Sequence, residues 1–220
     1  MINHITALTP LLKDHAAFKF DKRAAVSAVV YVDDNPNAIP EVFYMKRAEN
    51  PEDRWAGQIG FPGGKKEGNE SDLETAERET LEEVGFDPNV DGSFWGALNS
   101  VEARKGGSRL GFGIYPFLYR VSQKPQVIPD PAEVADTYWV PLDVILDPSN
   151  DTDKTIQHNG MNIDLPGIQF PEGNILWGLT YKITYDLVGR IEQTGYLEHL
   201  RKITGNSKLG TEHLREYLGC

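Results

Sequence analysis

Apolar and polar positions alternate along this chain with two different periods, and the changes of period mark the predicted elements. Residues 1–22 read as a leader with a short amphipathic stretch. Ala24 to Val32 is a β-branched run, and Glu41 to Lys46 is a second strand beyond an Asp-Asn-Pro-Asn turn signal. Arg54 to Gly64 then leads into a helical pattern. Farther on, Phe94 to Val101 and Gly111 to Val121 read as strands around a basic, Gly-rich loop, and Thr137 to Val140 reads as another strand. Pro141 to Leu146 starts a short helix, and the polar, turn-rich stretch from Asp147 to Asp164 reads as a hairpin insertion. Helical spacing returns at Leu179, Ile183, Leu187 and Ile191, and Tyr196 to Leu218 holds one or two further amphipathic helices. No internal repeat or low-complexity run interrupts this order. Strands flanking a central helix, closed by a C-terminal helix, give an α/β sandwich. The expected organisation is a domain over residues 23–190, with residues 191–220 as a helical extension packed on it.

The central helix carries the chemistry. Ser71-x-x-Glu74 is a capping box, so the helix starts near Asp72. Gly85 stops it after about four turns. Leu73, Ala76, Thr80, Leu81 and Val84 are assigned to one apolar stripe that can pack on a sheet. Glu79, Glu82 and Glu83 are related by i+3 and i+4, which gathers their carboxylates on a neighbouring face. Three unpaired carboxylates so close together repel, and a hard divalent cation, Mg²⁺ or Mn²⁺, relieves that repulsion with the oxygen ligands it prefers. Most Glu-rich helices are merely solvated acidic faces. Here the Phe61-Pro62-Gly63-Gly64 entry turn, the helix stop and the carboxylate spacing occur together, and the metal site is the better reading.

Composition narrows the class. A chain of 220 residues with 40% apolar content can build one substantial core. Its single cysteine, Cys220, supports no disulfide framework, which points to a reducing compartment, the cytoplasm. Neither a signal peptide nor a membrane span is expected. The net charge of −11 argues against a nucleic-acid partner, so a phosphate substrate would have to meet local cations. An oligomer is compatible with all of this.

Residue by residue, Gly64 to Phe86 resembles the signature of the Nudix hydrolases, G-x5-E-x7-R-E-U-x-E-E-x-G-U, where U is bulky and apolar. Gly64, Glu70, Arg78, Glu79, Glu82, Glu83, Gly85 and Phe86 hold the required spacings, and Thr80 is the one departure. The resemblance implies an α/β/α sandwich with a mixed sheet and a catalytic loop-helix-loop. It also implies hydrolysis of a nucleoside diphosphate linked to a second moiety. On it, Glu79, Glu82, Glu83 and the Gly63 carbonyl ligate metal, and Glu70 pairs with Arg78 to orient the helix. The general base is expected to be Glu82, with Glu133 as the rival. A carboxylate cluster holding divalent metal suits in-line attack of water on a diphosphate.

Outside that box, the chain is similar to the coenzyme A-type subfamily and its upstream pattern L-L/M-T-x-R-S/A-x3-R-x3-G-x3-F-P-G-G. Arg47-Ala48 and Gly57 to Gly64 match it, while Phe43-Tyr44-Met45 replaces the first triplet and Arg54 falls two residues late. Tyr115-Pro116-Phe117, Glu133-Val134, Trp139-Val140-Pro141-Leu142 and Trp177-Gly178-Leu179-Thr180 resemble further stretches of that subfamily. The expected substrate is therefore coenzyme A or an acyl-coenzyme A. ADP-ribose, a nucleotide sugar or a dinucleotide is the alternative, and a non-catalytic nucleotide-binding module is a third reading that the intact carboxylate set disfavours. Arg104 and Arg109, around Gly106-Gly107, are candidate phosphate contacts, or else solvated loop cations. Arg47 and Arg54 are candidates for a 3′-phosphate or the diphosphate, or else surface ion pairs with Glu49, Glu52 or Asp53. Trp55, Trp95, Trp139 and Trp177 read as core or interface residues. The five histidines (His4, His15, His158, His199 and His213) read as surface or structural groups.

Overall fold

β1 (Lys22–Tyr31) is buried along most of its length, as a strand with layers on both faces must be. The structure, a computed structural model, describes residues 20–105, 108–158 and 160–214; the side chains of residues 104 to 110 fall outside that description. Most of the leader and Cys220 also lie outside the described residues.

Eight of the described strands form a mixed sheet. Its spine runs β3 (Ile59–Gly60), β2 (Glu41–Arg47), β1, β7 (Ser108–Val121), β5 (Ser93–Ala97). β4 (Gly63–Lys65) pairs with β1, β6 (Val101–Lys105) with β7, and β8 (Val134–Pro141) with β2. β1 and β7 are parallel, from Lys22 opposite Phe112 to Tyr31 opposite Val121, while the other neighbours are antiparallel. The period-2 alternation sorts the two faces. Ala25 and Val29, with Phe43 and Met45 of β2, join the layer of α1 (Asp72–Val84). Val30, Val42 and Tyr44 point the other way, into the larger core.

That larger core is closed by the C-terminal half. A short α2 (Pro88–Asp91) follows α1, and α3 (Leu142–Leu146) follows β8. β9 (Asp151–His158) and β10 (Met161–Gln169) make the hairpin, and β11 (Ile175–Trp177) completes a three-stranded sheet. α4 (Gly178–Gln193) buries Ile183, Leu187 and Ile191 in the core, and α5 (Tyr196–Thr204) adds Tyr196, Leu197 and Leu200. Leu209 and Leu214 belong to the same core, so the extension shares the interior of the domain. The arrangement is the α/β/α sandwich expected. Among the described residues no helix is long and apolar enough to cross a membrane.

Two expectations need correction. The run from Phe94 to Val101 is two strands, because Asp186 of α4 accepts from the Asn99 backbone N–H and side-chain amide, both at 2.9 Å, and draws the chain off the ladder. Leu81 does not share the buried stripe; it is 50% exposed. At 3.6 residues per turn it lies about 140° around the helix from Ala76, whereas Glu83 lies within about 20°. The last expected helical region, Tyr196 to Leu218, holds one helix among the described residues, within the one or two expected, and it ends where Gly205 turns left-handed at φ 69°.

Candidate active site

α1 is built as its local signals require. Ser71 Oγ accepts from the Glu74 N–H at 3.2 Å, and Glu74 Oε2 accepts from the Ser71 N–H at 2.6 Å. At the other end Gly85, at φ 78°, donates to the Leu81 carbonyl at 3.0 Å. The helix lies against β1, where Thr80 has a partner that explains its presence. Its hydroxyl lies 2.8 Å from Ser27 Oγ, and both hydroxyls converge on the Ala76 carbonyl, at 2.6 and 3.0 Å. A polar residue in this buried position is tolerated because β1 offers a second hydroxyl.

The entry turn is shaped by glycine. Gly63 has φ 150°, and a Cβ there would collide with the Ala25 carbonyl oxygen and the Val26 backbone. The backbone can therefore press close to β1, and on its other side the Gly63 N–H donates to Glu83 Oε2 of α1 at 2.7 Å. A Cβ on Gly64 would run into the Glu79 carboxylate, so that carboxylate sits directly on the turn.

Glu83 is 1% exposed, and its second oxygen accepts from Arg47 Nη1 at 3.3 Å. Burial pushes its carboxyl up to about 8; the Gly63 N–H and Arg47 oppose this, and the charges of Glu79 and Glu133 add to it. Glu79 is also raised, first by burial and then by Glu82 and Glu133, against the pull of Arg78. Glu70 moves the opposite way. Two bonds from Arg78, each 3.0 Å, hold it down to about 2. Arg78 also donates to Glu79 Oε1 at 3.0 Å, to Glu82 Oε2 at 3.0 Å and to the Lys65 carbonyl at 3.2 Å, tying the helix to β4.

Glu79, Glu83, Gly63 and Gly64 line one cavity of about 690 Å³, and Glu133 faces it from the loop before β8. Glu82 does not line it; its side chain is 60% exposed and rests on Arg78. The helical angles explain this, since Glu82 lies about 100° from Glu83 around the axis. Among the described residues no group of three or more His, Cys, Asp or Glu side chains stands ready-spaced around one point. Glu79 is held by Arg78, and Glu83 by Gly63 and Arg47. Glu79, Glu83 and the Gly63 carbonyl nonetheless offer oxygen atoms to the cavity, and both carboxyls are raised chiefly by burial, that of Glu83 further by the charge of Glu79, a set that fits a hard divalent cation.

The candidate cations divide. Arg47 donates to Asp53 at 2.7 Å as well as to Glu83, so the ion pair with Asp53 is the one formed. Arg54 is exposed at the cavity, its guanidinium 5.3 Å from the Trp55 ring centroid. Arg104 and Arg109 are opposed in register across the β6–β7 hairpin, and their side chains lie outside the described residues.

Two tryptophans depart from the core reading. Trp55, stacked on Phe112 at 6.2 Å, and Trp177 both line the cavity, as does His158. Burial alternates along β9 and turns Thr152, Lys154, Ile156 and His158 inward, a period-2 pattern that the polar, turn-rich reading of this stretch passed over.

Comparison with known proteins places this geometry. A family model described as the NUDIX domain matches residues 21–159, well over half of the chain. The Nudix hydrolase 15, mitochondrial, of Arabidopsis thaliana is 29% identical over 178 residues, covering 79% of this chain and 60% of its own length. An uncharacterized protein of Schizosaccharomyces pombe is 33% identical over 118 residues, covering 52% of this chain and 36% of its own. The chain thus spans 36% and 60% of the length of these curated relatives. The crystal structure of a MutT/nudix family protein from Enterococcus faecalis superposes with a TM-score of 0.47 at 13% identity, covering 91% of this chain and 74% of that one. With the family match enclosing the whole loop-helix-loop and its carboxylates, the chain belongs to the Nudix domain family.

Proposed function

We propose that the protein is a divalent-metal-dependent hydrolase of the diphosphate linkage in a nucleoside diphosphate derivative. The observation that carries this reading is the pair of raised carboxyls, Glu79 and Glu83, set on the glycine turn at the wall of one cavity. Glu79, Glu83 and the Gly63 carbonyl are the groups that would hold Mg²⁺ or Mn²⁺, which supplies charge neutralisation on the diphosphate and a more acidic water. Glu133 reaches the cavity and Glu82 does not, which favours Glu133 as the base that takes the proton from the attacking water. Arg78 keeps Glu79 and β4 in place, with Glu70 holding Arg78 in turn. Arg54, Lys65 and Lys182 bring positive charge to the cavity for the phosphates.

Coenzyme A or an acyl-coenzyme A is the finer reading. It is supported by two of the stretches that resemble that subfamily, Gly57 to Gly64 and Trp177 to Thr180, because both contribute residues to the lining of this cavity. The lone Cys220 and the net charge of −11 suit a reducing, cytoplasmic setting and a small-molecule partner. A phosphate-release screen over coenzyme A, ADP-ribose, NADH, nucleotide sugars and dNTPs with Mg²⁺ or Mn²⁺ tests both levels. If the reading is right, 3′-dephospho-coenzyme A has a kcat/KM about tenfold to a hundredfold lower than coenzyme A, and Arg54→Ala removes the difference. Equal rates on those two, or faster turnover of ADP-ribose, transfer the assignment to the ADP-ribose and nucleotide-sugar class. No diphosphate hydrolysis of any of them removes the enzymatic reading.

A further inference from the structure

Arg47, the last residue of β2, is shared between two carboxylates from different parts of the cavity wall. Its Nε donates to Asp53 Oδ2 at 2.7 Å, and its Nη1 donates to Glu83 Oε1 at 3.3 Å. The other oxygen of each carboxylate is also engaged. Asp53 Oδ1 accepts from the Trp55 N–H at 3.0 Å, and Glu83 Oε2 accepts from the Gly63 N–H at 2.7 Å. An unbroken chain of charge-assisted bonds therefore runs from Trp55 through Asp53, Arg47 and Glu83 to the glycine turn. Residues 48–58 are the loop between β2 and β3. Its base is pinned where the Arg47 N–H donates to the Gln58 carbonyl at 3.0 Å and the Gly57 N–H to the Arg47 carbonyl at 3.1 Å. The Ala48 N–H donates to the Glu133 carbonyl at 2.8 Å, so the same base adjoins the loop that brings Glu133 to the cavity. Farther along, the loop presents Arg54 and Trp55 to the cavity.

We propose that Arg47 and Asp53 are positioning residues that link cation binding at Glu83 to closure of the 48–58 loop on the cavity. The link rests on the metal-dependent reading of this site and goes beyond it, tying the loop that carries Arg54 and Trp55 to the state of the Glu83 carboxylate. A single guanidinium serves both carboxylates, so each weakens its hold on the other. While Glu83 depends on Arg47, one donor and part of the charge are drawn away from Asp53. Once Glu83 is neutralised by a divalent cation, Arg47 is repelled from it and its charge falls to Asp53, whose other oxygen holds the Trp55 backbone. The Asp53 contact is already the shorter of the two. Charge fixes the sign of each effect. Arg47 opposes a cation at Glu83, and Asp53 favours one by holding Arg47 aside. By reciprocity, a closed loop favours the cation as much as the cation favours closure.

Mn²⁺ affinity of the full chain, read from the electron paramagnetic resonance of the free ion, tests the link without turnover. Arg47→Gln removes the charge but keeps amide donors, and it is expected to tighten Mn²⁺ binding at least ~5-fold. Asp53→Asn leaves Arg47 to Glu83 and is expected to weaken Mn²⁺ binding at least ~3-fold. In the Arg47→Gln background, Asp53→Asn is expected to change affinity by less than ~1.5-fold, because Asp53 acts through Arg47. A merely structural role weakens binding in both single variants, and a direct field from the Asp53 charge persists in the double variant. Either result overturns the proposal. Should Arg47→Gln fold poorly, hydrogen exchange in the wild type decides. Saturating Mg²⁺ is expected to slow exchange of the Trp55 amide at least ~3-fold, and an unchanged rate overturns the proposal. No Mn²⁺ binding by the wild type also overturns it. Mg²⁺-dependent diphosphate hydrolysis without this linkage removes the proposal and leaves the hydrolase reading in place. Linkage without hydrolysis of any diphosphate keeps the positioning roles and removes the hydrolase reading.

Discussion

Burial and two neighbouring carboxylates push the Glu83 carboxyl upward, while the Gly63 N–H and Arg47 pull it down, and burial wins. Its folded value, about 8, lies above the ordinary carboxylate value of 4.5. Without a divalent cation the folded chain therefore keeps a proton that the unfolded chain releases. Stability then falls as pH rises between those two values. In chelator, the melting temperature of the wild type should decline from about pH 5 to about pH 8 more steeply than that of Glu83→Gln, and excess Mg²⁺ should restore it at the upper end. Parallel curves for the two proteins would show that Glu83 does not carry this charge. A second residue-scale prediction concerns Ser27 and Thr80. Ser27→Ala and Thr80→Val should each cost about 0.5–1.5 kcal/mol, and the double variant should cost less than the two together because the hydroxyls share the Ala76 carbonyl. Strict additivity in urea denaturation would contradict that coupling. Thr80 was visible in the sequence as a departure from the motif. Its partner was not, because Ser27 lies 53 residues earlier on another element.

At the scale of elements, the parts that could be read directly are those with local causes. α1 begins at its capping box and ends at Gly85 because each signal acts within a turn of the residue it controls. The break between β5 and β6 had no local cause. It arises from Asp186, 87 residues farther along, taking the Asn99 amides. The glycine turn makes the sharpest test at this scale. Gly63 has both a φ of 150° and no room for a Cβ, whereas Gly68, at φ 49°, has open space around it. Gly63→Ala should destabilise the fold by more than ~2 kcal/mol and abolish turnover, while Gly68→Ala should cost no more than about 1 kcal/mol. A Gly63→Ala protein with wild-type denaturation and activity would mean that the Gly63 N–H does not seat Glu83.

Over the whole molecule, the sandwich follows from β1, whose buried faces demand a layer on each side: α1 on one, α4 and α5 on the other. The carboxylate wall of the cavity was legible because Glu79 and Glu83 are written within one segment, Gly63 to Gly85. The lining contributed by β9, β10, β11 and α4 was not, because those residues come together only when the second sheet meets β3. Arg47 shows the same limit, since its guanidinium was equally suited to a substrate phosphate until the fold set it between Asp53 and Glu83. On the proposed function, Glu79 and Glu83 make this cavity a metal-dependent hydrolytic site. The most direct measurement is kcat for the best diphosphate substrate of the screen, for wild type and Glu83→Gln, with saturating Mg²⁺ and in chelator. No turnover is expected in chelator, and kcat for Glu83→Gln is expected to fall by at least ~10², about 2.7 kcal/mol of barrier, in a protein that still folds. Turnover that persists in chelator, or near wild-type kcat in both Glu83→Gln and Glu79→Gln, would contradict it.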